Sequence, residues 1–135
     1  MLTRLRELHS EIREKLAELD QLIANDQPQV DRLMQVRHAL TRASRARTKL
    51  LETEIYPRLL SAKTSTHMEG VRRLQEEGKA DLMASSQHIG RWSLRTITEE
   101  WNQYRSASNA VRIAMRRRIK AEQELLYPLL AQLPA

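Results

Sequence analysis

One helix ending is written twice in this chain. The eleven residues Arg118-Ile119-Lys120-Ala121-Glu122-Gln123-Glu124-Leu125-Leu126-Tyr127-Pro128 have a counterpart at Arg47 to Pro57, and both segments close on Tyr-Pro. Proline has no N–H for the helical ladder, so each pair is expected to stop a long helix. Aligning the two pairs places Arg47 on Arg118 and Leu51 on Glu122. Two helices with one terminator imply an internal pseudo-repeat within a helical bundle.

The apolar spacing agrees. Leu2, Leu5, Leu8, Ile12, Leu16, Leu19 and Ile23 recur at steps of three and four and predict a first helix over residues 2 to about 24, with His9 beside the stripe. Asn25-Asp26-Gln27-Pro28 interrupts it, and Asp26 with Pro28 is a helix-start signal. A second helix is expected from about 28 to 56 on Val30, Leu33, Val36, Leu40, Ala43, Arg47, Leu50 or Leu51, and Ile55. Ser61 to Thr66 is small and polar and predicts a loop. Helix resumes from about 67, weakened by Gly70 and Gly78. A third helix is clear from Ala80 to about Thr98, with Leu82, Ile89, Trp92 and Ile97 inward and His88 next to them. The fourth begins near Glu99 to Trp101 and lasts until Tyr127, on Tyr104, Ala107, Val111, Met115, Arg118 or Ile119, Glu122, Leu126 and Leu129. The expected fold is all-α: one domain over residues 1–135, an up-down-up-down four-helix bundle.

Composition supports helices over sheets, with three glycines, four prolines and no phenylalanine. The absence of cysteine removes disulfides and thiolate metal sites. The charged N-terminus has no apolar h-region and no stretch is apolar enough to span a bilayer, so a cytoplasmic protein without membrane contact is expected. The net charge of +6 raises nucleic acid as a partner, but 17 acidic residues are mixed among 23 basic ones, as on an ordinary solvated helix surface. The runs Arg42, Arg45, Arg47 and Arg116, Arg117, Arg118 divide between inside and outside, and no aromatic residues interleave them for base stacking. Nucleic-acid binding is therefore the lesser alternative. Trp92, Trp101, Tyr56, Tyr104 and Tyr127 are expected to be packing residues. His38 and His67 are expected at the surface, and Glu52, Glu54 and Glu124 have no catalytic role. No Gly-rich phosphate loop, Ser/His/Asp arrangement or glycosidase carboxylate pair occurs.

His9, Arg47, His88, Arg118 and Glu122 all fall on or beside inward faces. A buried arginine or carboxylate costs several kcal/mol unless paired, so these groups pair with one another or hold something. The segment Leu8-His9-Ser10-Glu11-Ile12-Arg13, with Leu16 and Leu19 behind it and the two Tyr-Pro endings, resembles the hemerythrin-like (HHE cation-binding) domains. The resemblance implies a hemerythrin-like bundle in which His9 matches the first-helix ligand, Glu122 the acidic ligand of the fourth and His88 a third-helix ligand. It also implies that Arg47 and Arg118 replace ligand histidines and Leu51 an acidic ligand, while Trp92 stands where a second third-helix histidine belongs. Guanidinium has no lone pair to donate and repels a cation. The expectation is thus a non-enzymatic bundle whose buried cluster Arg47, Arg118 and Glu122 replaces metal, with no cofactor, acting through a protein partner or as a homodimer. Its competitor retains iron or zinc on His9, His88 and Glu122, as a sensing or storage protein.

Overall fold

The computed structural model describes residues 1–61 and 65–134, and among them every regular element is helical. The elements are α1 (Leu2–Ile23), α2 (Val30–Leu50), a π-helical segment (Leu51–Ile55), α3 (Tyr56–Ser61), α4 (Ser65–Arg91), α5 (Leu94–Glu99) and α6 (Trp101–Ala131). No described helix is long and apolar enough to cross a membrane.

The apolar stripe of α1 is buried as its spacing predicts: Leu5, Leu8, Ile12, Leu16, Leu19 and Ile23 are all in the interior. Each fully buried leucine or isoleucine contributes about 1.5–3 kcal/mol from removal of apolar surface from water. Side chains of α6 reach carbonyls at and just beyond the end of α1. Trp101 Nε1 donates to Asn25 O at 3.1 Å and Arg105 Nε donates to Ile23 O at 2.8 Å. Helix α2 starts at Val30 behind Gln29, so Pro28 precedes the helix instead of lying in its first turn, and Asp26 is outside it.

The Tyr-Pro pairs do not stop their helices, which corrects the sequence expectation. Helical structure continues to Ser61 past Pro57 and to Ala131 past Pro128. A proline ring clashes with the carbonyl one turn earlier. At Pro57 that turn is widened: Tyr56 N–H bonds to Leu51 O five residues back, and the π geometry gives the ring room. At Pro128 only one further turn follows.

The third helix also departs from expectation. Helix α4 runs unbroken from Ser65 through Gly70 and Gly78 to Arg91, so Ser65 and Thr66 are helical, while residues 62–64 of the expected loop lie outside the described set. It stops before Thr98. Ser93 turns extended and accepts a hydrogen bond from Thr96 N at 3.3 Å, capping the short α5. Leu82 and Ile89 are 47% and 45% exposed, not inward, whereas Trp92 and Ile97 are buried.

Helix α1 packs against α2 and α6, α4 packs against α6, and α2 and α4 make little close contact. The interior divides into two apolar clusters. One gathers Ile12, Leu16, Leu33, Val36, Tyr104 and Ile119; the other gathers Leu5, Leu8, Leu51, Ile55, Leu74 and Leu126. Between them, at the level of His9, Arg47, Arg118 and Glu122, lies a layer of polar side chains.

Candidate functional site

Glu122 is the centre of that layer. It has no solvent exposure, and its Oε1 lies 2.8 Å from His9 Nε2 and 3.7 Å from Arg47 Nε. Its Oε2 lies 2.8 Å from Arg118 Nε, close enough for an ion pair although the N–H does not point along that line. An ionised carboxylate only accepts, so His9 Nε2 carries the donated proton. In the neutral ring, His9 Nδ1 then accepts from the Tyr127 hydroxyl at 2.5 Å. Arg118 Nη2 donates to the Tyr56 hydroxyl at 3.0 Å. Burial raises the Glu122 carboxyl, but the His9 hydrogen bond and the Arg47 and Arg118 charges outweigh it and hold the group below the ordinary carboxylate value. Burial pushes the Tyr56 hydroxyl up to about 12, so it stays protonated.

The layer has two guanidinium groups for one carboxylate. Nε and Nη1 of both arginines have no hydrogen-bond partner among the described residues. The Arg47 side chain is 12% exposed and that of Arg118 is 4% exposed. Arg118 has room because Gly78 of α4 faces it: a Cβ there would lie 3.1 Å from Arg118 Cζ and nearer to Nη2.

Both arginines border a cavity of about 160 Å³ between α2, α4 and α6. Its origin is legible in α4. Between Leu74 and Trp92 the positions of α4 that turn inward are Gly78, Asp81, Ser85 and His88, none of them a large hydrophobe. Leu82 and Ile89 flank the opening, Arg37, Arg45, Ser44 and Thr48 line the α2 side, and Val111 and Met115 line the α6 side. Arg112 also borders the cavity, but its Nη1 is paired with Asp20 of α1.

Arg47, Arg118, Glu122 and His9 therefore come together. His88 does not join them. It stacks on Tyr104 with centroids 5.8 Å apart, and Tyr104 is eighteen residues before Glu122, roughly 27 Å along α6 at ~1.5 Å per residue. Burial and the nearby Arg37 charge lower His88 to about 4, so it is neutral at pH 7. Among the described residues no group of three or more His, Cys, Asp or Glu side chains is arranged to hold a metal ion. The set His9, His88 and Glu122 is corrected on that ground: it is not one site. Trp92 is buried against Tyr104, and His38 and His67 are exposed. Of the basic run, Arg116 pairs outside with Asp20, Arg117 is exposed and Arg118 is inside. Sequence reasoning misses the buried Arg112, the buried Ser108 and the hydroxyls of Tyr56 and Tyr127. The signal available for Arg112 is its place four residues after Ser108 and eight after Tyr104.

Comparison with protein-family models, with curated proteins and with solved structures found no match for this chain.

Proposed function

We propose that this chain is a hemerythrin-like, up-down-up-down four-helix bundle in which side-chain charge replaces bound metal, and that it works as a non-catalytic binding or regulatory module. The observation that carries the reading is the placement of two guanidinium groups, Arg47 and Arg118, against a fully buried Glu122. Those arginines stand where the resemblance calls for ligand histidines. Neither can donate to a metal, and both supply the positive charge that a buried carboxylate needs. The residues present therefore do not fit a di-metal centre. Nor do the hydrogen-bonded groups have the look of acid–base machinery, since Glu122, His9 and Tyr127 are already engaged with one another.

Elemental analysis of the purified chain tests this. The expected result is less than about one metal ion per ten chains, because among the described residues His9 and Glu122 are the imidazole and carboxylate donors of the layer where stable sites use three or four protein ligands. About two irons per chain would end the reading.

A further inference from the structure

We propose that the cleft between α2, α4 and α6 binds a small amphipathic anion, an oxyanion headgroup on an apolar body, with Arg47 and Arg118 holding the headgroup. The proposal rests on the fixed-charge reading above and names what the module takes up.

Charge is the first argument. The polar layer holds two guanidinium groups against one carboxylate, and Glu122 does not line the cleft while both arginines do. The arginines thus stand between the carboxylate and the cavity, with their surplus charge on the cavity side. Nη1 of each arginine is a buried donor with no hydrogen-bond partner among the described residues, whereas the Nε atoms face Glu122 at 3.7 and 2.8 Å. Ser44 Oγ, on the same wall, is buried and unpartnered as well. A planar guanidinium matches the geometry of carboxylate and phosphate oxygens, and charge-assisted bonds of this kind are about twice as strong as neutral ones.

Basic residues outnumber acidic ones on the rest of the walls. Arg37 and Arg45 line the α2 side, and neither pairs with a carboxylate among the described residues; Asp81 is the one acidic residue there. His88 adds none, being neutral. A cation would meet repulsion, and a neutral ligand would leave the guanidinium groups unpaired.

Apolar walls set the body. Leu40, Leu82, Ile89, Val111 and Met115 border the cavity, and about 160 Å³ accommodates a ring the size of benzene, which a dry cavity of ~150 Å³ is known to hold. The site therefore fits a monocyclic or short-chain organic anion better than an inorganic one.

The test is calorimetric titration of the full chain with phenyl phosphate and benzoate, which separate a phosphate from a carboxylate headgroup, beside benzyl alcohol, benzylamine and inorganic phosphate. At least one aromatic oxyanion should bind ten times more tightly than benzyl alcohol and than inorganic phosphate, with no heat from benzylamine. Arg45→Glu reverses an exposed charge at the cleft and should weaken that oxyanion at least fivefold. Arg117→Glu makes the same change on an exposed residue outside the cleft and should shift it less than twofold. Arg47→Met should abolish binding; should that variant fail to fold, the Arg45 and Arg117 pair decides. Dissociation constants above about 5 mM for both oxyanions, equal binding of benzylamine, or equal weakening by Arg45→Glu and Arg117→Glu would each overturn the assignment. Metal content is measured on the same sample. A metal-free chain that ignores both oxyanions overturns the cleft assignment alone, whereas a metal-loaded chain overturns the fixed-charge reading.

Discussion

Arg118 of α6 lies across Gly78 of α4, where a Cβ would come within 3.1 Å of its Cζ. Alanine normally stabilises a helix interior by about 1 kcal/mol over glycine. Here the added methyl must displace a buried guanidinium, an overpacking cost of about 1–3 kcal/mol. Gly78→Ala should therefore lower stability by about 1 kcal/mol, while Gly90→Ala, with nothing within 4 Å of its Cβ, should raise it by about 0.5–1 kcal/mol. Denaturant titration of both variants checks this. Equal gains at the two positions would show that Arg118 does not pack on α4.

Glu122→Ala leaves Arg47 and Arg118 buried without their counter-charge. Breaking a buried pair by removing one partner costs about 3–5 kcal/mol. A measured loss below ~0.5 kcal/mol, the size expected of a surface substitution, would mean that the guanidinium groups reach water.

Acid should destabilise the chain in two stages. His88 has a folded value near 4, below its ordinary 6.5, so the unfolded chain binds more protons between those pH values. Its contribution is complete above pH 6.5 and disappears as pH falls to 4. Solvent around the partly buried ring limits the loss to about 1–2 kcal/mol. Glu122 is also depressed in the fold, so its contribution is present above the ordinary carboxylate range and is lost as pH falls further. Urea midpoints measured from pH 7.5 to 4 should decline, and His88→Gln should flatten that decline. An NMR titration of His88 with a midpoint above 6 would contradict the first stage.

Asp20 joins α1 to α6 through Arg112 and Arg116. The Arg112 side chain is 8% exposed and that of Arg116 is 41% exposed, so the two pairs should differ in worth. Asp20→Asn should cost about 1–3 kcal/mol by stranding Arg112. Arg116→Ala should cost less than ~0.5 kcal/mol. Thermal unfolding of the two variants gives the comparison, and an equal loss would place Arg112 in solvent.

Legibility in the sequence follows the kind of force involved. Leu5, Leu8, Ile12 and Leu16 are readable because helical periodicity alone assigns them to one face. Arg47, Arg118 and Glu122 are readable for the opposite reason: charges at stripe positions stand out. Leu82 and Ile89 mislead because their spacing fits a helix face, but α4 turns its small and polar residues toward the cleft and leaves them at its edge. The Tyr-Pro stops mislead because a widened turn before Pro57 removes the clash that proline would otherwise cause. Partner choice is tertiary and leaves no local trace, so the Arg112–Asp20 pair and the Tyr56 and Tyr127 hydroxyl bonds are invisible to spacing.

The charged layer sits between two leucine-rich clusters, and this bears on how the helices align. A slide of one helix by a turn, about 5.4 Å, would push Glu122 or a guanidinium group in among leucines and strand its partner. Apolar contacts alone would tolerate such a slip, since one leucine serves much like the next. The ionic group thus acts as an alignment key, giving the interior one vertical setting.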